Sequence, residues 1–478
     1  MQLKMDNHGV RRLSVSRVTP SPAPAEENVK VKLSFLDAPW VATWPVQQVF
    51  LYERGSGEEF AAVVKRLKES LAAALALYLP LAGELAYVED TRDLVVDCSD
   101  PGVAFFVAEA EAVDPGDEME AESLLPELDA RVLPAPVMTV QATRLIAGGG
   151  MALGVSALHA VVDGRAFVLF LDTWFSISRG GASPVSVSKS LPMPYYDRDA
   201  IARAHPCGDE LARHVISKVA PNLPVAIMTD GCFTKNSQLG RQTIVLDPAD
   251  IRRLKRRIDA IVSSSSLSST TTKSSAKPVS TFVALSALSW TAFVHAKGLA
   301  AGDDTHLLFQ VDLRARLRPP VAAGYFGNCV RGCVASADAG ELLDEATGLL
   351  RAARAITAAL REVTAAAPVA GLGAWIERVM GLPAARVVSV GGSPLFRLYQ
   401  TPDFGLGMPG TVVPVYMPGS PETPGHGDDD RVGRVVLSGG RREGDVHLSV
   451  SLRPVVLMDG FKNHIRSSTA TMIIRPKF

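Results

Sequence analysis

A stretch rich in serine and proline interrupts the chain between Gly180 and Asn222 and separates two long, mostly apolar parts. Clusters of this kind break helices and strands and are typical of connections between domains. The chain has 478 residues, whereas single hydrophobic cores usually stop growing at roughly 250 to 300 residues. We therefore predict two domains, residues 1–185 and residues 223–478, joined by a crossover at residues 186–222.

Both parts contain helix and strand patterns. Apolar residues at three- and four-residue spacing predict amphipathic helices, and short alternating or continuous apolar runs predict strands. A hairpin loop at Gly148–Gly150 is expected between two of the strands. The predicted helices are Glu58–Leu79, Gly164–Trp174, Ala249–Ile261, Thr281–Lys297 and Leu342–Val363, and the predicted strands are Leu94–Val96, Val103–Val107, Val137–Leu145, Ala152–Leu158, His306–Leu313 and Val330–Val334.

Charge and hydropathy exclude several classes of partner. The 49 lysines and arginines nearly balance the 50 acidic residues, so no net field favours nucleic acid or an anionic membrane. No apolar stretch reaches the roughly 20 residues of a membrane span, and Met1–Arg17 lacks the apolar region of a signal peptide. We expect a cytoplasmic protein without nucleic-acid or membrane partners. Its five cysteines lack the paired spacing of a zinc site and are expected to be reduced thiols: Cys98, Cys207, Cys232, Cys329 and Cys333.

A histidine stands at the point where a predicted buried strand turns into a helix. It begins the segment His159-Ala160-Val161-Val162-Asp163-Gly164, which has an acidic residue four positions on and a glycine that allows a tight turn. Imidazole titrates near neutral pH, so a histidine facing a pocket can take a proton from a hydroxyl or amine that attacks a carbonyl. Asp163 could orient the ring or brace the turn. On these residues alone, a satisfied core histidine is the alternative interpretation.

Read with other segments, this motif resembles the plant BAHD acyltransferases, and the resemblance covers nearly the whole chain. The family's His-x-x-x-Asp-Gly pattern matches His159 to Gly164, and its Asp-Phe-Gly-Trp-Gly pattern corresponds to Asp403-Phe404-Gly405-Leu406-Gly407. Tyr325-Phe326-Gly327-Asn328-Cys329 is similar to the signature of the branch that acylates anthocyanins and other flavonoid or phenolic glucosides, often with malonyl-CoA. Further segments that resemble family positions are Leu79–Gly83, Gln141–Thr143, Ser280–Trp290 and Asp312–Pro320.

The resemblance implies an α/β fold class built from α+β layers. Two chloramphenicol-acetyltransferase-like domains, each a mixed sheet flanked by helices, would enclose a solvent channel. The first domain would carry the histidine motif, and the second would carry Tyr325–Cys329 and Asp403–Gly407. CoA and the acceptor would enter the channel from opposite faces. A monomer with no bound cofactor and no metal is expected.

The resemblance also assigns roles to residues. His159 would be the general base that deprotonates the acceptor, whose oxygen then attacks the CoA thioester without an acyl-enzyme step. Asp163 would be structural and paired with an arginine, for which Arg314 is the expected partner. Asp403, with Gly405 and Gly407, would form a distal loop that shapes the channel wall.

For the substrates, the leading prediction is malonyl transfer from malonyl-CoA to a sugar hydroxyl of a flavonoid, anthocyanin or other phenolic glucoside. One alternative is transfer of a hydroxycinnamoyl or other aromatic acyl group to an alcohol, phenol or amine. A second alternative is a weakly active homologue that binds CoA esters. Arg165, Arg386 and Arg397 are candidates for holding a malonyl carboxylate, and a surface charge is the alternative interpretation of each.

The chain departs from the family pattern in one motif. Leu406 stands where the family usually has tryptophan, and Pro402 is an extra residue before Asp403. In relatives the indole N–H is placed to donate to the developing oxyanion, and leucine has no donor. Losing one oxyanion donor can cost about 10²- to 10³-fold in turnover. The hypothesis is that this enzyme uses another donor or is slow.

Overall fold

A computed structural model describes residues 9–26, 28–41, 43–53, 59–111, 118–126, 128–130, 132–180, 191–220, 240–265, 278–365, 368–415, 433–469 and 473–474. Its strands are β1 Val10–Val18, β2 Lys30–Lys32, β3 Val46–Tyr52, β4 Glu84–Val88, β5 Asp93–Asp97, β6 Val103–Ala110, β7 Ala135–Pro136, β8 Met138–Leu145, β9 Met151–Ala157, β10 Gly240–Leu246, β11 Asp304–Asp312, β12 Val330–Asp338, β13 Val387–Gly392, β14 Thr411–Val415, β15 Gly433–Gly439, β16 Val446–Leu452 and β17 Ile473–Ile474.

The described strands form two large sheets and a small one. The first large sheet has the strand order β1-β6-β8-β9-β3-β14, and the second has the order β12-β11-β13-β15-β16-β10-β17. A four-stranded sheet, β2-β5-β4-β7, belongs to the N-terminal half. Both large sheets are mixed, since β6 pairs parallel with β8 in one and β13 pairs parallel with β11 and β15 in the other. The predicted architecture of mixed sheets flanked by helices is confirmed.

Helices pack against these sheets. They are α1 Phe60–Leu77, α2 Glu118–Ser123, α3 Gly164–Gly180, α4 Asp199–Ala202, α5 Gly208–Ile216, α6 Pro248–Ser265, α7 Thr281–Lys297, α8 Ala339–Leu343, α9 Gly348–Ala365, α10 Leu372–Met380 and α11 Leu457–Ser468. In the N-terminal half α1 packs on α3, and in the C-terminal half α7 packs on α9 and α11. Helix α7 is buried around most of its circumference, with twelve buried residues, because most of its side chains are apolar.

One strand of the C-terminal half lies in the N-terminal sheet. Strand β14 pairs antiparallel with β3, from Thr411 opposite Leu51 to Val415 opposite Gln47. The Asp403–Gly407 segment precedes β14 and is therefore carried onto the N-terminal half. A single buried apolar cluster extends through both halves and includes Trp174 in α3 and Trp290 in α7.

Most predicted elements are present within a few residues of their expected bounds, and the helix predicted over Thr281–Lys297 has those bounds. The single helix predicted over Leu342–Val363 is wrong in part, because the chain breaks it into α8 and α9. At the break, the Asp344 carboxylate accepts hydrogen bonds from Thr347 N at 2.7 Å and from Thr347 Oγ1 at 2.8 Å. An acidic side chain that bonds the nearby backbone in this way competes with helix continuation and starts a new helix.

Cys98, Cys207, Cys329 and Cys333 are free thiols, as expected; Cys232 lies outside the described residues. Of the helices in the described ranges, none combines the length and apolar character needed to cross a bilayer.

Candidate active site

The histidine motif links strand β9 to helix α3 in the middle of the first large sheet. Strand β9 ends at Ala157, and α3 begins at Gly164. The Asp163 side chain caps this helix, since its Oδ1 accepts a hydrogen bond from Ala166 N at 2.9 Å. His159 therefore sits on a short turn whose two ends are fixed by a central strand and by a capped helix.

Asp163 is buried and forms a charged pair with Arg314. Its two oxygens accept hydrogen bonds from Arg314 Nη1 at 2.8 Å and Nη2 at 3.1 Å. The side chains of Asp163 and Arg314 are 1% and 3% exposed, respectively. Burial would lower the pKa of Arg314, but the Asp163 carboxylate outweighs that effect and raises the pKa. The expected arginine partner is thus Arg314, and the pair joins the two halves of the chain.

The His159 ring lies against an indole. The rings of Trp40 and His159 are stacked, with centroids 4.3 Å apart and planes 7° from parallel. Both side chains line a cavity of about 10 Å³ inside the N-terminal half. Burial lowers the pKa of His159 to about 4, and the positive charge of Arg434 on β15 acts in the same direction, whereas Asp163 opposes it. The imidazole is therefore neutral at physiological pH.

The segment Tyr325–Cys329 is held at the contact between the halves by its main chain and by the side chain of Asn328. Arg314 Nη2 donates to the carbonyl oxygens of Tyr325 at 3.1 Å and Gly327 at 3.2 Å. Cys329 N donates to Asp163 Oδ2 at 3.0 Å. Asn328 Nδ2 donates to the carbonyl oxygen of His159 at 2.8 Å. The signature thus joins the C-terminal half to the histidine turn.

Asp37 and Arg198 complete this joint, and the sequence analysis missed both. Asp37 is fully buried, and its oxygens accept from Asn328 N at 2.9 Å, Asn328 Nδ2 at 3.0 Å and Arg198 Nε at 3.0 Å. Arg198 Nη1 donates to the Phe326 carbonyl at 2.6 Å. A signal for Asp37 was available, because an acidic residue that follows the apolar run Leu33–Leu36 needs a partner when it is buried.

The Asp403–Gly407 loop is held by hydrogen bonds of its own carboxylate and by Arg66. Asp403 Oδ1 accepts from Gly405 N at 2.9 Å and Gly407 N at 3.1 Å, and both glycines have positive φ. Arg66 Nη2 donates to the Phe404 carbonyl at 3.0 Å. The carboxylate therefore shapes its own loop and does not contact the histidine. Leu406 is partly buried against the main apolar cluster.

Two of the arginines considered for an acyl carboxylate already bind acidic side chains. Arg165, about half exposed, pairs with Asp312 at 3.2 Å. Arg386 pairs with Asp303 at 2.9 Å. Among the described residues, no cluster of three or more His, Cys, Asp or Glu side chains could hold a metal ion.

Two mixed sheets with flanking helices, joined beside a histidine at a strand end, define the architecture of acyltransferases of the chloramphenicol-acetyltransferase kind. A model of the Transferase family matches residues 10–467, and the chain belongs to this BAHD family of acyltransferases, which use CoA thioesters as donors. The resemblance noted in the sequence is thereby confirmed.

Individual relatives agree with this assignment. Over 422 residues the chain is 30% identical to phenolic glucoside malonyltransferase 1 of Arabidopsis thaliana, which covers 84% of this chain and 88% of that protein. It is 31% identical over 323 residues to hydroxycinnamoyltransferase of Narcissus pseudonarcissus, covering 65% of this chain and 68% of that one. The fold is similar to the crystal structure of vinorine synthase, with a TM-score of 0.69 at 20% identity over 96% of this chain and 98% of that chain.

Proposed function

We propose that this enzyme transfers a malonyl group from malonyl-CoA to a sugar hydroxyl of a phenolic glucoside, with His159 as the general base. The observation that carries the proposal is His159 itself, placed on a fixed turn where the two halves meet. Its partners are a stacked indole on one side and Asn328 at its carbonyl. A satisfied core histidine would need no such joint around it.

The reaction follows from the protonation state of that ring. Nδ1 of His159 is buried, so Nε2 is the ring nitrogen left to take the acceptor's proton. The acceptor oxygen then forms a bond to the thioester carbonyl carbon, and the resulting oxyanion collapses with cleavage of the C–S bond. The departing CoA sulfur recovers the proton from the imidazolium. Protonation and release therefore balance without a covalent enzyme intermediate.

The other motif residues support the base without reacting. Asp163 has its oxygens engaged with Arg314, Ala166 N and Cys329 N, so it braces the turn. Asp403 forms the distal loop. Ser156, three residues before His159, lies on strand β9 and accepts a hydrogen bond from Gln47 Nε2 at 3.2 Å, so this serine is not placed as a nucleophile for the base.

Malonyl-CoA is favoured as donor because the relative with the longest match named above is a phenolic glucoside malonyltransferase, and because Tyr325–Cys329 is similar to the signature of that branch. The match to a hydroxycinnamoyltransferase supports the alternative, an aromatic acyl donor used with an alcohol, phenol or amine. A weakly active homologue that binds CoA esters is the second alternative. It is supported by Leu406, which lacks the N–H donor of the tryptophan that the family usually has at this position.

One panel experiment separates these functions. Purified protein is incubated with malonyl-CoA or aromatic CoA thioesters together with phenolic glucosides, free phenols or amines, and thiol release and product mass are followed. Malonylated glucoside supports the proposal; products formed only from aromatic donors support the first alternative; no product above background supports the second. His159→Ala should lower turnover by about 10²- to 10⁴-fold. Retained activity in this variant would contradict the assignment of His159 as base.

A further inference from the structure

A short segment of the N-terminal half contacts His159 from two directions. This segment, residues 34–40, ends in a 3₁₀ turn, Ala38–Trp40. At its end, the Trp40 indole covers one face of the imidazole at a centroid distance of 4.3 Å. Within the segment, Asp37 binds Asn328, which in turn donates to the carbonyl oxygen of His159. Residues 34–40 therefore contact the His159 ring directly and hold its main chain through Asn328.

The carboxylate of Asp37 fixes the two sides of the stack relative to each other. Its Oδ2 accepts from Ser34 N at 2.9 Å and from Ser34 Oγ at 2.6 Å, which closes the turn that carries Trp40. Its Oδ1 accepts from Asn328 N and Nδ2, the amide that holds the His159 carbonyl. Because both sets of bonds end on one buried carboxylate, the turn that carries Trp40 and the main chain of His159 are held in place relative to each other.

The chain keeps an indole at this position at a cost. Nε1 of Trp40 is buried and has no hydrogen-bond partner among the described residues. A buried donor without a partner costs about 1 to 3 kcal/mol, and phenylalanine or leucine at this position would avoid that penalty. The main chain of Trp40 is held by Thr43 Oγ1, which donates to its carbonyl at 2.8 Å. The feature that phenylalanine and leucine lack is the full face of the indole ring against His159, which a phenyl ring would cover only in part.

We propose that Trp40 is a positioning residue for the general base: its indole face restricts rotation of the His159 ring and keeps water from that face. The inference rests on the proposed role of His159. It assigns Trp40 to the base and not to substrate binding, because the stack is between two protein rings that are already in contact without a substrate.

The charged groups around the stack make the role measurable. Arg434 on β15 and Asp163 at the start of α3 act on His159 with opposite sign, and Asp163 is itself paired with Arg314. Asp163 is held by Arg314, Ala166 N and Cys329 N and not by Trp40, so we expect it to stay in place when Trp40 is replaced. Loss of the indole should then change mainly the hydration and the freedom of the imidazole, both of which move its pKa towards the ordinary value near 6.5.

The test compares Trp40→Leu, Trp40→Phe and a matched control, Trp44→Leu. Trp44 lies four residues on, is also partly buried, and packs against a separate apolar cluster. With ¹³C-labelled histidine, the titration of His159 is followed by NMR without substrate, and its signal among the nine histidines is identified by its loss in His159→Gln. Kinetics are measured with malonyl-CoA and 4-nitrophenyl glucoside, and folding is checked by thermal unfolding.

In Trp40→Leu the pKa of His159 should rise by about one unit or more, and kcat should fall by about 10- to 100-fold while each KM changes by less than about threefold. Trp40→Phe keeps a ring face and should remain within about fivefold of the parent enzyme. If Trp40→Leu does not fold, Trp40→Phe carries the test: its smaller ring should give a rise in the pKa of His159 and a loss of kcat in the same directions, and an unchanged titration in this variant would overturn the inference. Trp44→Leu should leave the His159 titration unchanged.

Three results would overturn the inference. The first is an unchanged His159 titration in Trp40→Leu, and the second is an acceptor KM that rises while kcat and the titration stay constant, as expected for a substrate platform. The third is an equal effect of Trp44→Leu. Failure of the proposed function is a different result, namely no transfer by the parent enzyme or retained activity in His159→Ala. The NMR titration needs no activity, so it reports the effect of Trp40 on the His159 ring in either case.

Discussion

Replacing Asp163 by asparagine should destabilise the protein through loss of a buried charge and two hydrogen bonds. Oδ1 accepts from Ala166 N and Arg314 Nη2, and Oδ2 accepts from Arg314 Nη1 and Cys329 N. Whichever oxygen becomes the amide nitrogen, two donors then face a donor. The Arg314 guanidinium, 3% exposed, is also left without its carboxylate. Breaking a buried pair in this way costs about 3 to 5 kcal/mol.

Asp312→Asn is the matched control because it changes a second carboxylate on the same arginine. Asp312 Oδ1 lies 3.4 Å from Arg314 Nη1, and its side chain is 35% exposed. A partly exposed pair contributes about 0 to 1 kcal/mol, and an asparagine at 312 keeps the oxygen that caps the main chain of Arg314. Asp312→Asn also loses the pair of Asp312 with the half-exposed Arg165, so both variants lose a carboxylate with two or more partners and differ mainly in how deeply the lost charge is buried.

The measurement is urea unfolding followed by tryptophan fluorescence, for which the fully buried Trp174 and Trp290 are suitable probes. Asp163→Asn should lose about 4 kcal/mol of unfolding free energy, and Asp312→Asn less than about 1 kcal/mol. Adding Arg314→Gln to Asp163→Asn should restore part of the loss, with a coupling energy of about 2 kcal/mol. Equal stability of the two single variants, with turnover lost only in Asp163→Asn, would refute the bracing role.

Three further predictions concern pH, the oxyanion and the joint. Because the pKa of His159 is lowered to about 4, kcat/KM should fall as the base is protonated near pH 4 and not near pH 6.5, and a fall centred at pH 6.5 would contradict this prediction. The same shift should remove about 3 kcal/mol of unfolding free energy as the pH falls from 6.5 through 4. His159→Gln should not show that loss of stability. Leu406→Trp should raise kcat by about tenfold or more if the indole N–H reaches the oxyanion, whereas Leu406→Phe, which adds a ring without a donor, should not. Equal kcat values for Leu406→Trp and the parent enzyme would mean that the site uses another donor. Gly327→Ala should destabilise the protein by more than about 2 kcal/mol, because φ is 153° and the new Cβ would lie 2.6 Å from Arg198 Nη1. The Arg198 guanidinium is already bound to Asp37 and to the Phe326 carbonyl, so it cannot easily move aside. An unfolding midpoint equal to that of the parent would contradict this prediction.

The sequence was sufficient for the local structure around the base. The apolar run before His159 and the amphipathic pattern after Gly164 locate the strand end and the helix start, since both depend on residue periodicity. The family also followed from ordered motifs, and the model match over residues 10–467 agrees with it. Where local side-chain chemistry competed with periodicity, as at Asp344, the sequence prediction of one helix was wrong.

The residues that contact His159 could not be predicted from local sequence patterns. Trp40 and Asn328 are separated from His159 by more than one hundred residues of chain, and no periodic pattern relates positions so far apart. Strand β14 similarly crosses into the N-terminal sheet by pairing with β3, and no local pattern predicts a pairing between residues so far apart in the chain. The sequence alone therefore determined which residue is the candidate base and on what turn it stands. Only the tertiary structure decided what surrounds it, because burial of Asp37, Asp163 and Arg314 requires charge partners that folding brings together.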